Sequence, residues 1–285
     1  MIHYPEFIKP DLLHLGPLRV RWYGVMYILG FFAGRQILRH LCKTRWLRMA
    51  GDKVDDFLIA LFIGMLVGAR LIYMLVYYRA TEMDPFIWYK TPFAVWEGGL
   101  AFHGGALGMF IAIVYFARRE KVPYWNLADA LVLAAPVGLF LGRIGNFINA
   151  ELYGRPTDVP WAMAFPIRDF DETVIGYTEP RHPSQLYEAM TEGLLTLAIL
   201  WIAKRFIKNQ GVLSGLGISC YAVFRFIVEF FREKDAQLEY YFGWMTMGQI
   251  LCAVMLAVGL GMMAFNARRA VPIAGPEPES QSATT

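Results

Sequence analysis

Seven apolar blocks, separated by polar or proline-containing breaks, run along the chain. Each block is about 20 residues long, which is the length a helix needs to cross roughly 30 Å of hydrocarbon. The blocks lack strand-like alternation, and a segment in lipid must hydrogen-bond its own backbone, so helices are expected. We therefore predict an all-α membrane protein, a bundle of seven transmembrane helices with a small extracytoplasmic portion. The predicted spans are near residues 22–40, 56–78, 98–117, 126–147, 185–204, 212–231 and 245–265.

One membrane domain over residues 1–271 is the simplest organisation of these blocks, followed by a polar tail at 272–285 that we expect to be disordered. The composition agrees, because 56% of the residues are hydrophobic and the mean hydropathy is +0.38, whereas soluble domains are roughly 45–50% apolar. The first block is followed by a basic run without a small-residue cleavage site. It is therefore expected to remain as a helix rather than to act as a signal peptide.

The basic residues lie in short clusters between the blocks and indicate an orientation. Short basic connections are typically cytoplasmic, and such connections follow the first, third and fifth spans and open the C-terminal tail. We therefore place the N-terminus outside the cytoplasm and the C-terminus inside, although Arg19 and Arg21 run against this trend. The formal net charge of +3 is too small to indicate a nucleic-acid partner.

The fourth span ends in the segment GRIGNFINAELYG, residues 142–154, which is unusually polar for a membrane helix. Charges in hydrocarbon cost about 2.5–3.5 kcal/mol each on insertion scales, so they are retained mainly where they are paired, hydrated or functional. Arg143, Asn146 and Asn149 are spaced by three residues, and Glu151 follows. Arg143 alone could extend to the interface while the asparagines cap the helix end. The density of the group favours a polar site.

The sixth span carries Tyr221, Arg225, Glu229 and Arg232 at spacings of four, four and three residues, on one face of a helix. The planar guanidinium of Arg225 can bind phosphate or carboxylate oxygens, and Glu229 one turn away can hold it in position. A self-contained Arg225–Glu229 ion pair is the alternative. Arg232 is expected at the membrane interface.

Other polar side chains are predicted at the outer ends of the spans, where together they would form a cavity that opens outward. His103 lies in GGLAFHGG; a lone histidine is more often structural, but a neutral imidazole there could accept a proton. The segment RHPSQLYEA at 181–189 begins the fifth span. The three cysteines form no CxxC pair, and metal, nucleotide and serine-hydrolase motifs are absent, so no metal or cofactor is predicted.

The sequence GRIGNFINAELYG is similar to the signature of prolipoprotein diacylglyceryl transferases. Four further segments match that family in the same order: RWYGVMYILG at 21–30, FHGG at 102–105, RHPSQLYEA, and YAVFRFIVEFFR at 221–232. The resemblance implies an enzyme of the bacterial inner membrane, with its active site toward the periplasm, that acts in the first step of lipoprotein maturation. Such an enzyme moves the diacylglyceryl group of phosphatidylglycerol to the lipobox cysteine thiol of a prolipoprotein signal peptide, and glycerol phosphate leaves.

A membrane transporter for an anionic solute is the alternative from another functional class, because it too would place arginine, asparagine and histidine around a cavity.

Residue by residue, the resemblance also implies roles in this chain. The implied catalytic residues are His103, Arg143 and Arg225. The implied phosphatidylglycerol-binding residues are Arg143, Arg225, Tyr23, Asn146 and Gly154. The supporting residues are Glu151, Tyr221 and Glu229, to which we add Arg70 of the second span.

Overall fold

The computed structural model describes residues 2–5, 7–15, 18–78, 87, 90–94, 98–169, 172–233 and 241–273. Most of the predicted tail, residues 274–285, lies outside this part of the chain. The chain divides into two compact units. The first contains Met1–Ile37 and Asp129–Ile273, and the second contains, among the described residues, those of Leu38–Ala128. A single domain over 1–271 stays a prediction.

The described residues are mostly helical, with one helical segment at each predicted apolar block. Four segments are long and apolar enough to cross a membrane: Lys53–Tyr77, Tyr124–Ile148, Ser184–Ala203 and Met247–Arg269; Val212–Val228 is apolar but shorter. Membrane crossing by all seven stays a prediction.

The helices are α1 (Trp22–Lys43), α2 (Lys53–Ile72) with a π-helical turn at Tyr73–Tyr77, α3 (Phe102–Arg119), α4 (Tyr124–Ile148), α5 (Ser184–Glu188), a π-helical turn at Ala189–Leu195, α6 (Thr196–Ala203), α7 (Val212–Val228) and α8 (Met247–Arg269).

Helix α3 begins four residues later than the predicted span. Gly98 and Gly99 precede it with φ angles of +89° and +74°, in the left-handed region that glycine adopts at little cost. These residues cannot continue a right-handed helix, so the apolar pattern before Phe102 belongs to a connection.

Six short strands lie in segments predicted to be extracytoplasmic, which the all-α prediction missed. They form three two-stranded sheets, and strands of two to five residues are too short to show a periodic pattern. The parallel pair is β1 (Ile2–His3) with β4 (Met163–Ala164), and the antiparallel pairs are β2 (Asp11–Leu15) with β3 (Leu18–Arg21) and β5 (Pro166–Arg168) with β6 (Val174–Tyr177).

The first unit has a small buried core built around Tyr4 and Phe165. The Tyr4 hydroxyl lies 3.1 Å from the Phe147 carbonyl and 2.8 Å from the Ile148 carbonyl, to which it donates. The last carbonyls of a helix have no partner within that helix. The N-terminal segment therefore completes the end of α4, the helix that carries Arg143.

Helix α7 is capped by a side chain from α4. The carboxylate of Asp129 accepts hydrogen bonds from the backbone N–H groups of Gly211 and Ser214 at 2.6 and 2.7 Å, and from the Ser214 hydroxyl at 2.6 Å. Asp129 is fully buried, and these donors include N–H groups that the first turn of a helix leaves unpaired. The cap fixes α7 against α4 within the first unit.

In the second unit, α2 and α3 touch through glycine backbones. A Cβ added to Gly64 would lie 2.6 Å from the Gly108 carbonyl oxygen, and one added to Gly68 would collide with the Gly104 carbonyl. Small residues permit such close approach between membrane helices. This contact fixes the start of α3, where His103 lies.

Candidate active site

Three arginines and three glutamates of the first unit lie close together near the ends of several helices. We call this group the Arg–Glu cluster. Arg143 comes from α4, while Arg225 and Glu229 come from the end of α7. Because arginine and glutamate occur in equal number, the cluster has no net formal charge. Its remaining members are Glu188 of α5, Glu192 of the following π-helical turn, and Arg232 just beyond α7.

Glu188 is the centre of the cluster. It is fully buried, and its Oε2 atom lies 2.6 Å from Arg143 Nε and 3.7 Å from Arg225 Nη1. Its Oε1 atom accepts a hydrogen bond from Arg232 Nη1 at 2.6 Å. Two arginines therefore share one carboxylate oxygen, which holds their guanidinium groups close together despite their like charge.

Glu192 is a second buried carboxylate beside the same two arginines. Its oxygens lie 3.7 Å from Arg143 Nη2 and 3.9 Å from Arg225 Nη1, which are ion-pair distances too long for hydrogen bonds. Within the described part of the chain, neither Glu192 oxygen nor Arg225 Nη1 has a hydrogen-bond partner. These groups lie instead at ion-pair distance from one another, and this attraction offsets the cost of their burial.

The π-helical turn at Ala189–Leu195 presses against α4 close to Arg143. A Cβ added to Gly193 would lie 2.6 Å from Phe140 Cβ and 2.8 Å from Phe140 Cα. The Thr191 hydroxyl donates to the Tyr187 carbonyl at 2.7 Å, which gives a partner to a backbone acceptor of α5 just before the irregular turn. Glycine thus permits the approach that places both glutamates beside α4.

The structure brings together Arg225 and Glu229, as the spacing predicts, and Arg143 of α4 joins them through Glu188. The alternative of a self-contained Arg225–Glu229 ion pair is wrong: Arg225 Nη2 does lie 3.0 Å from Glu229 Oε2, but Arg225 also contacts Glu188 and Glu192. Arg232, predicted at the interface, belongs to the cluster through Glu188 and through Glu229 Oε2 at 3.5 Å. Tyr221 lies one turn before Arg225 on α7.

A separate polar group follows Arg143 along the chain. Asn146 Nδ2 donates to Glu151 Oε1 at 2.8 Å, and Asn149 Nδ2 lies 3.3 Å from the same oxygen. Tyr23 of α1 packs on Gly145, where an added Cβ would lie 3.0 Å from its ring. The predicted residues Tyr23, Asn146 and Glu151 are therefore neighbours along the end of α4. Their polar contacts are distinct from the ion pairs of Arg143.

Gly154 lies where three backbone segments meet, next to Arg232 of the Arg–Glu cluster. Its N–H donates to the His182 carbonyl at 2.8 Å, and the next residue, Arg155, donates to the Phe231 carbonyl at 2.9 Å. The side chain of Arg155 also binds the Arg232 carbonyl at 2.7 Å. Burial lowers the pKa of His182 and favours its neutral ring. These contacts place Gly154 next to Arg232, and its lipid-binding role stays a prediction.

Two predicted residues belong to the second unit. The buried guanidinium of Arg70 donates to the carbonyls of Thr91, Pro92, Gly98 and Gly99, so Arg70 anchors the backbone that leads into α3. His103 is the second residue of α3 and has an exposed imidazole. Its predicted role as a base stays a prediction.

Sequence reasoning did not include Glu188 or Glu192 among the site residues. A signal was present, because the two carboxylates are four residues apart in an otherwise apolar block, the same spacing that drew attention to Arg225 and Glu229. Charge repeated at helical spacing inside a membrane span indicates a shared buried face.

The chain is similar over most of its length to proteins of one description. The family model described as prolipoprotein diacylglyceryl transferase matches residues 10–265. Three relatives carry the name phosphatidylglycerol–prolipoprotein diacylglyceryl transferase. The protein of Geobacter sulfurreducens is 47% identical and covers 93% of this chain and 97% of its own length. Those of Pseudomonas putida strain F1 and Azotobacter vinelandii are each 43% identical and cover 92% and 96% of this chain, and 95% and 100% of their own lengths.

Proposed function

Since the chain belongs to the prolipoprotein diacylglyceryl transferase family, we propose that it transfers the diacylglyceryl group of phosphatidylglycerol to the lipobox cysteine of prolipoprotein signal peptides. It is a transferase of the membrane. We further propose that it has seven spans in the bacterial inner membrane, an extracytoplasmic N-terminus, a cytoplasmic C-terminus and a site toward the periplasm. The positions of the basic connections support this orientation. The relatives give no support to an anionic-solute transporter.

The reaction forms a carbon–sulfur bond at the glycerol carbon and breaks the carbon–oxygen bond to phosphate. Negative charge grows on the departing glycerol phosphate, and preorganised cationic donors stabilise such charge in a poorly hydrated site. Arg143 and Arg225 have this role in the proposal. The observation that supports it most is their shared contact with Glu188 Oε2, because two guanidinium groups held this close can bind one phosphate.

The thiol must lose its proton to become a good nucleophile. In the proposal His103 accepts that proton, since a neutral imidazole can act as a base near pH 7. Tyr23, Asn146 and Gly154 contribute to the phosphatidylglycerol site. Glu151, Tyr221, Glu229 and Arg70 support it, and Glu229 does so through its ion pair with Arg225.

The test uses purified protein, phosphatidylglycerol and a lipobox peptide, with mass spectrometry to detect the diacylglyceryl adduct. Arg143→Lys and Arg225→Lys keep the charge but remove the planar fork, so each should lower kcat by about 100-fold or more. Arg205→Lys, at an exposed position after α6, is the matched control and should keep wild-type turnover. Turnover by both cluster variants at the rate of this control would refute the arginine roles.

His103→Gln tests the base separately in the same assay. A large loss of kcat with a changed pH profile is expected, because the imidazole that accepts the thiol proton would be gone. A near wild-type rate with an unchanged pH profile would remove His103 as the base and leave the arginine roles intact.

A further inference from the structure

Helix α8 begins with a capping box that also reaches the Arg–Glu cluster. Thr246 Oγ1 accepts from the Gln249 N–H at 3.2 Å, while Gln249 Oε1 accepts from the Thr246 N–H at 3.0 Å. This reciprocal pair satisfies the helix end with residues of α8 alone. The hydroxyl proton of Thr246 is not needed for the cap. It is donated to Glu229 Oε1 at 3.0 Å.

The same oxygen of Glu229 lies against the bare backbone of Gly248. A Cβ added to Gly248 would lie 2.7 Å from Glu229 Oε1 and 3.0 Å from Glu229 Cδ. Gly248 does not have a positive φ angle, and alanine is the better residue within a helix. The helix itself therefore does not require glycine at residue 248. The Glu229 carboxylate requires it, because Glu229 Oε1 lies where a Cβ would make too close a contact.

The other oxygen of Glu229 contacts the cluster. Glu229 Oε2 lies 3.0 Å from Arg225 Nη2 and 3.5 Å from Arg232 Nε. One carboxylate is thus held by α8 on one side and holds two arginines on the other. A displacement of Oε1 would turn Oε2 away from Arg225, because both oxygens belong to one rigid planar group.

We propose that Thr246 and Gly248 are positioning residues that fix the Glu229 carboxylate and, through it, the guanidinium of Arg225. The proposal rests on the transferase function proposed above, in which Arg225 binds the lipid phosphate and the leaving group. Thr246 supplies the hydrogen bond and Gly248 supplies the space. Since small displacements of a charge-stabilising group mainly weaken the transition state, the effect should fall on kcat more than on KM.

The experiment is a set of double-mutant cycles in the transferase assay. Thr246→Val and Gly248→Ala are each made in the wild-type chain and in a Glu229→Gln chain. In the wild-type background each should lower kcat/KM by about tenfold or more, the usual effect of losing a hydrogen bond to a charged group. In the Glu229→Gln background each should have little further effect, because the carboxylate through which they act is already gone.

Two variants separate positioning from folding. Thr246→Ser keeps both the cap acceptor and the hydroxyl donor, so it should restore most of the activity lost in Thr246→Val. Thr44→Val removes a hydroxyl that donates to the His40 carbonyl at the end of α1 and should leave turnover unchanged. Gly248→Ala should change the thermal unfolding midpoint little, because the gain in helix propensity offsets the cost of displacing the Glu229 carboxylate.

Losses that are equally large in the Glu229→Gln background, or that follow the unfolding midpoint across the variants, would overturn the proposal. Retention of phosphatidylglycerol by the purified variants, measured by native mass spectrometry, gives a readout that does not depend on turnover. A wild-type chain that retains the lipid but forms no adduct would overturn the transferase function. The two failures are therefore distinguishable, because the transferase function fails in the wild-type chain, whereas the positioning roles fail only in the double-mutant cycles.

Discussion

Replacement of Gly154 by alanine should damage both stability and activity, although it adds only one methyl group. Gly154 has no positive φ angle, so the backbone itself accepts alanine. The new Cβ, however, would collide with the Phe231 carbonyl and would lie 2.9 Å from His182 Cβ and 3.0 Å from the His182 carbonyl oxygen. Two of these three atoms belong to the backbone and cannot move without their chain segments.

The magnitude follows from these contacts. Overpacking typically costs about 1–3 kcal/mol, and the hydrogen bonds that link residues 154 and 155 to His182 and Phe231 contribute about 1 kcal/mol each. We expect a loss of about 3 kcal/mol in the free energy of unfolding. At about 2–4 °C per kcal/mol, Tm should fall by roughly 6–12 °C. Turnover should fall as well, because Arg155 links this junction to the Arg232 carbonyl.

The assay compares Gly154→Ala with Gly261→Ala by thermal unfolding in detergent and by adduct formation. Gly261 lies inside α8 with no atom within 4 Å of an added Cβ, so alanine there should stabilise the helix by up to about 1 kcal/mol. A Gly154→Ala protein with wild-type turnover and a Tm within about 1 °C of this control would refute the steric argument.

Two further outcomes are expected. Glu188→Gln leaves three guanidinium groups around an uncharged amide, so it should lower the free energy of unfolding by about 3 kcal/mol in thermal or denaturant unfolding. The control Glu179→Gln, at an exposed ion pair with Arg181, should change this free energy by less than about 1 kcal/mol. Equal effects of the two substitutions would contradict the central role of Glu188. Burial raises the pKa of Tyr4 from 10.0 to about 12, so its contribution to stability is complete below pH 10 and is lost as the pH rises toward 12. Tyr4→Phe should lack that part of the pH dependence. If the unfolding free energies of the two proteins changed in parallel between pH 10 and pH 12, Tyr4 would not be the group responsible.

The sequence predicted the helices well because each apolar block is close to the length of a membrane span. It could not predict the π-helical turns, since the apolar pattern of Ala189–Leu195 does not distinguish π from α bonding. The position of Phe102 as the first residue of α3 depends on the backbone of the two glycines before it, which an apolar pattern does not report.

The cluster was predictable only as far as its members lie on one helix. Arg225 and Glu229 are four residues apart, so their contact follows from local geometry. The contact between Arg143 and Glu188 joins α4 to α5, and the contact between Thr246 and Glu229 joins α8 to the end of α7. Such pairs depend on which helices pack together, and a single sequence does not contain that information.

The cap that Asp129 provides for α7 also sets an order on biosynthesis. A ribosome makes Asp129 82 residues before Gly211 and 85 residues before Ser214, so this carboxylate enters the assembling protein long before its hydrogen-bond donors exist. A charged aspartate at the centre of a membrane helix costs about 2.5–3.5 kcal/mol on insertion scales. Helix α4 can reach its final hydrogen-bonded state only after translation has passed Ser214, so the maturing chain must keep Asp129 hydrated or otherwise paired until then.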